Sequence, residues 1–185
     1  GKLAMQGDPE AVMDYYNAML ADHQDQEVKQ EVIENGKVRT ISGTGEAVVV
    51  NIGLLNEEGS SIEIVDVGQA VTLRIEVETK AFIENLILGY GIKDRLGQVV
   101  YGTNTDLKKQ PVENVPAGSH VVYDVAFNAN LGVGTYSIQT ALVSSDSHLD
   151  NNYEWRDLAL IFNVININKP CFSGCAWIDP VISVK

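Results

Sequence analysis

An all-β, antiparallel β-sandwich of immunoglobulin-like or jelly-roll type, preceded by one short helix, is the fold this sequence predicts. Three observations carry that expectation. From Gly45 onward apolar and polar residues alternate at period two, turn-forming residues separate the alternating runs at regular intervals, and no helical pattern intervenes.

The helix comes first. Asp8 followed by Pro9 is a start signal, because the carboxylate caps free backbone amides and proline suits the first helical position. Val12, Tyr15, Tyr16, Met19 and Leu20 then recur at three- and four-residue spacings, which predicts a helix over about 8–22 with one apolar stripe. Residues 23–43 are polar, mixed in charge and end near Gly43 and Gly45, so they read as a linker, with the sandwich over 44–185.

The clearest strand is 69–79, where Val71, Leu73, Ile75 and Val77 face one way and Thr72, Arg74, Glu76 and Glu78 the other. Similar runs occur at 47–56, 86–93, 98–103, 120–127, 135–143 and 153–164, and a last one near 176–183. Turn chemistry separates them at Asn56-Glu57-Glu58-Gly59, Asp94-Arg95-Leu96-Gly97, Pro116-Ala117-Gly118 and Leu131-Gly132-Val133-Gly134. Tyr136, at the start of a strand, fits a corner tyrosine whose hydroxyl bonds back to the chain.

Composition narrows the function. The chain has 185 residues, with 25 acidic against 13 basic side chains and a formal charge of -12. A phosphate backbone requires a clustered basic face, so nucleic acid is excluded as the main partner, and the same balance argues against docking on anionic lipid. No apolar run approaches the roughly 20 residues that span a bilayer. Cys171 and Cys175 are the only cysteines, and with His23, His120 and His148 dispersed they make no recognisable zinc spacing. Reduced thiols and a cytosolic location are the expectation.

Catalytic motifs are missing as well. There is no GxxxxGK[ST] loop, GxSxG elbow or HExxH pair, and Gly89-Tyr90-Gly91 lies within a strand pattern instead of before a helix. Those two glycines fit a strand face against which something bulky packs. No enzymatic activity and no cofactor are expected.

The chemistry that remains is sugar binding, which needs aromatic rings for C–H faces and amide or charged groups for paired hydroxyls. Candidates are Tyr101, Asn104 and Thr105, which close one strand, Tyr153 and Trp155, which open another, and Trp177 in the last. Arg74 and Gln139 lie on polar strand faces. Each has a plainer reading: Trp155 as rim packing, Tyr101 as core, Asn104 and Thr105 as turn caps, Arg74 and Gln139 as a solvated face. An anionic ligand would need a basic nest, for which Arg74, Lys93, Arg95, Lys108, Lys109 and Arg156 are the available cations.

Taken in order, several motifs resemble a known family. The GDPExVxxxYN pattern from Gly7 to Asn17 is similar to the final helix of nucleotide-binding subunits of polysaccharide ABC exporters. A GTGEA start at Gly43 to Ala47, the DxxGxxVYGxNT stretch from Asp94 to Thr105, LGVGTYSI from Leu131 to Ile138, and YEW-D-x-A-x-x-F-x-V from Tyr153 to Val164 follow. Together they resemble the C-terminal domain of the Wzt family of O-antigen exporters. The resemblance implies an immunoglobulin-like domain that binds the modified nonreducing end of O-antigen polysaccharide and couples chain completion to export. It further implies that residues 1–22 end a preceding nucleotide-binding domain, which links the chain to the transmembrane subunit at the inner face of the inner membrane. A homodimer that exchanges a strand at about 176–184 is implied too, with Asn166 to Pro170 as its hinge. A purely structural dimerisation module and a glycan-modifying enzyme are the competing readings.

Overall fold

The computed structural model describes residues 3, 4, 6, 7, 9, 12, 13, 16, 27–32, 38–145 and 152–185. The helix expected over 8–22 lies almost wholly outside the described residues. The strands are β1 (Glu27–Val32), β2 (Val38–Gly43), β3 (Ala47–Leu55), β4 (Ile64–Asp66), β5 (Ala70–Thr79), β6 (Ile83–Lys93), β7 (Val99–Asn104), β8 (Val112–Val115), β9 (His120–Asn128), β10 (Gly134–Val143) and β11 (Asn152–Ile165). The large sheet runs β1-β2-β11-β10-β6-β7, with β4 beside β11 and β8 beside β6, and the small sheet runs β3-β5-β9. All pairings are antiparallel except β4 with β11.

Alternation builds the core between the sheets. Val71, Leu73, Ile75 and Val77 of β5 are buried against Leu86, Leu88 and Ile92 of β6, Tyr136, Ile138 and Leu142 of β10, and Phe162 and Val164 of β11. Fully burying such side chains contributes about 1.5–3 kcal/mol each. Tyr136 is the corner tyrosine its position predicts: its hydroxyl donates to the Gly132 carbonyl at 3.0 Å, and its ring stacks on Phe162 at 5.8 Å. One polar clamp joins the two sheets at their other side. Arg156 of β11 donates to Glu154 at 2.9 Å and to the Val49 carbonyl of β3 at 2.8 Å, and the Val49 amide donates back to Glu154 at 3.1 Å. Burial pushes the Glu154 carboxyl up, against the opposing pull of Arg156.

Two expectations are corrected. The segment read as a linker supplies β1 and β2, and β2 pairs with β11 through Ser42 and Ile41. Its buried positions are Thr40 (1% exposed) and Ser42 (3%), so small hydroxyls occupy places where aliphatics would have signalled a strand. The strand expected near 176–183 does not form within this chain. Beyond one bridge between Leu131 and Ala176, the tail has no ladder, and Ile178, Val181, Ile182 and Val184 stand exposed. Pro180 lacks the N–H a ladder would use, and among the described residues no strand pairs with it.

β4 has only three residues, and β8 alternates too briefly to register, yet β8 extends β6 back to Ile83 through its pairing with Ile83, Asn85 and Leu86. Among the described residues no helix is long and apolar enough to cross a membrane.

Candidate carbohydrate-binding face

Sheet register decides which side chains share a surface. Reading across the large sheet, Ser42 pairs with Trp155, Trp155 with Ala141, Ala141 with Gly89, and Gly89 with Asn104. The next row holds Gln139, Gly91 and Gly102. Neighbours in register point the same way, and Leu142 and Leu88, the next residues along β10 and β6, belong to the core. Both rows therefore lie on the outer face, with Trp155, Gln139 and Asn104 rising from a floor of Gly89, Gly91 and Ala141.

The glycines are there for space. A methyl group added at Gly91 would sit 2.9 Å from the Gln139 amide nitrogen and 3.1 Å from its Cγ, so the glutamine lies flat across β6. One added at Gly89 would sit 3.7 Å from the Cβ atoms of both Ala141 and Asn104. This is the bulky neighbour that the Gly89-Tyr90-Gly91 pattern anticipates.

The same face carries a sequestered ion pair. Lys93 Nζ lies 3.0 Å from Asp157 Oδ1, with the Asp157 side chain 1% exposed. Beside it β11 bulges: Leu158 has φ of 45°, and Arg39 holds the bulge by donating to the Leu158 carbonyl at 3.0 Å and the Ala159 carbonyl at 3.3 Å. An indole next to small residues, flanked by two carboxamides, offers a pyranose ring a stacking surface and its vicinal hydroxyls paired donors and acceptors.

The other candidates go elsewhere. Tyr101 pairs with Ile92 on the inner side of β7, half-exposed, its ring 6.1 Å from Tyr90. Thr105 accepts from the Leu88 amide at 3.1 Å, and Asn104 also accepts from the Leu107 amide at 2.7 Å, so both do cap a turn. Arg74 stands on the outer face of the small sheet, where it donates to both carboxylate oxygens of Asp124 at 2.7 Å. Tyr153 is buried at one end of the sandwich, beside a cleft of about 780 Å³ bordered by Glu46, Glu84 and Glu113. Burial, with Glu46 and Glu84 nearby, pushes its phenol up. Trp177 packs on Phe172 at 5.0 Å beneath Lys169, its amide donating to the Asn130 carbonyl at 3.0 Å.

No basic nest gathers from the six cations considered. Arg74, Lys93 and Arg156 are each engaged by a carboxylate, and of the others Lys108 lines a recess. Cys171 and Cys175 are free and exposed. Among the described residues, no group of three or more His, Cys, Asp or Glu side chains is placed to hold a metal ion.

A profile of the Wzt C-terminal domain family matches residues 38–178. The chain belongs to that family. Its fold is also similar to a crystal structure of the C-terminal domain of Wzt, with 19% identity, a TM-score of 0.69, and 80% of this chain and 89% of that one covered. Two further structures show only slight similarity. A β-D-mannosidase from Dictyoglomus thermophilum gives 13% identity and a TM-score of 0.37 over 60% of this chain and 13% of its own. The alkylpurine DNA glycosylase AlkC of Pseudomonas fluorescens gives 10% and 0.36 over 65% and 30%. No curated protein sequence matches the chain. The Wzt C-terminal domain is a carbohydrate-binding β-sandwich of O-antigen ABC exporters, and the β2 strand at Val38 marks where the family match begins.

Proposed function

We propose that this Wzt C-terminal domain binds the modified nonreducing end of an O-antigen polysaccharide on the outer face of its large sheet, and that binding couples chain completion to export. The observation that supports this reading most is the common placement of Trp155, Gln139 and Asn104 over the Gly89–Gly91–Ala141 floor. Recognition works by hydrogen bonding: a site built around one terminal group rejects chains that lack it, because its polar atoms would lose water without gaining partners. Affinity between millimolar and micromolar, about 4–8 kcal/mol, suits a reader that must also release its chain.

The domain acts without catalysis in this reading, and its partners are the polysaccharide, a second copy joined through the C-terminal tail, and the exporter's transmembrane subunit by way of an ATPase domain. The site then faces the cytoplasm at the inner membrane. Calorimetric titration of capped and uncapped polysaccharide tests it. Heat only with the capped chain, and at least tenfold weaker binding by folded Trp155→Ala, are the expected results; equal binding of both chains rejects the proposal.

A further inference from the structure

The sandwich is open along one side, where β7 ends the large sheet and β9 ends the small one. Between these two edges lies a recess of about 260 Å³, lined by Tyr90, Thr103 and Gln110 on one side and Tyr123, Val125 and Ala126 on the other, with Leu88 also in its wall. Tyr90 and Tyr123 point into the space between the sheets, and Asn104 borders both this recess and the outer face. Its volume is below that of ordinary ligand pockets, which begin near 300 Å³, so it admits one sugar unit or a substituent of one.

The Tyr123 hydroxyl is buried at this place with no hydrogen-bond partner. A phenol left in that state carries a desolvation cost that a bound acceptor would relieve. Burial pushes its ionisation up to about 12, so the group remains a neutral donor. Thr103, Lys108 and Gln110 use their side chains in no hydrogen bond among the described residues, which leaves them open to a ligand. The deeper walls are apolar, which disfavours a charged group there.

We infer that the β7–β9 recess is a second carbohydrate subsite that takes an acetyl group of the glycan, the carbonyl oxygen accepting from Tyr123 and the methyl resting against Leu88 and Val125. Gln110 and Thr103 then meet the sugar's hydroxyls at the mouth. The inference rests on the proposed role of this domain as a glycan binder, and it adds a chemical class, acetylated sugars, from amide or ester sources.

Backbone-amide NMR titration of the full chain tests it, with methyl 2-acetamido-2-deoxy-β-D-glucopyranoside, methyl 6-O-acetyl-β-D-glucopyranoside and methyl β-D-glucopyranoside as probes. Saturable shifts at Thr103 to Thr105 and Tyr123 to Ala126 with either acetylated probe, absent with the parent glucoside, are expected; the probe that binds identifies the amide or the ester source. Tyr123→Phe removes only a hydroxyl that has no partner, so it folds, and it should weaken acetyl-probe binding about five- to tenfold. Trp155→Ala should leave these shifts in place. Equal response to all three probes, no response at these amides, or unchanged affinity in Tyr123→Phe overturns the subsite. Capped-polysaccharide binding that depends on Trp155 would in that case still uphold the outer-face reading, whereas loss of that dependence alone would count against the outer face only.

Discussion

Lys93 and Asp157 show how much a single side chain on the proposed face depends on a partner distant in sequence. They are 64 positions apart and form a pair sequestered from water. The Lys93 ammonium neutralises a carboxylate at the start of the β11 bulge, while Arg39 takes the carbonyls that the bulge frees. Removing one member of such a pair leaves a buried charge uncompensated, which costs about 3–5 kcal/mol, whereas replacing both with apolar residues of similar size is often neutral. Lys93→Ala should therefore lower the urea midpoint strongly, and Lys93→Met combined with Asp157→Leu should restore most of it. A Lys93→Ala protein as stable as wild type would show that the pair does not hold the bulge. Trp155, Gln139 and Asn104 were readable as sugar-binding types because rings and amides advertise their chemistry. Lys93 was readable only as one cation among six, since nothing local in the chain points to Asp157.

Strands were legible where alternation was long and aliphatic, as in β5 and β10, and illegible where small polar residues took the buried positions or the strand was short. Thr40 and Ser42 disguised β2 as linker, and β4 needed only Val65 to reach the core beside β11. The end of β4 also fastens the segment after β11. Asp66 accepts from the Ile167 amide at 2.8 Å and from the Asn168 carboxamide at 2.7 Å. The Ile167 bond foremost, with help from Asn168 and the Val67 amide, holds the Asp66 carboxyl below its ordinary value. A depressed carboxylate stabilises the fold above its unfolded pKa, near 3.9, and that contribution is lost as pH falls through the lower folded value. The connector from 166 to 170 should thus stay docked at neutral pH and loosen only in strong acid. In an NMR pH titration the Ile167 amide shift should move with a midpoint below about 3.9, and Asp66→Asn should abolish that step. A midpoint at or above the ordinary value would contradict the clasp.

Taken as a whole molecule, the domain buries its alternating aliphatic rows between the sheets, whereas the tail leaves a cluster of four aliphatics in solvent. Ile178, Val181, Ile182 and Val184 are 74%, 94%, 83% and 95% exposed. Burying four such side chains is worth roughly 6–12 kcal/mol at about 1.5–3 kcal/mol each. Fixing the backbone of the tail costs about as much, at about 1–2 kcal/mol per residue. The two nearly cancel, so the tail gains order only where a strand edge adds ladder hydrogen bonds, and among the described residues the outer edges of β7 and β9 have no partner strand. A second copy would supply such an edge together with an identical tail, giving a closed two-fold exchange instead of an open chain of contacts. The full chain should therefore sediment as a dimer at micromolar concentration. Deleting residues 178–185, which keeps the Trp177–Phe172 packing, should give a monomer with a nearly unchanged far-ultraviolet spectrum, because those residues make no ladder with the described residues of their own chain. Because the outer face around Trp155 is built entirely within one sandwich, the monomer should keep its affinity for single capped chains and lose only the gain from binding two at once. A shortened chain that still dimerises with the same dissociation constant would place the interface on the sandwich itself and leave the exposed aliphatics of the tail without a partner.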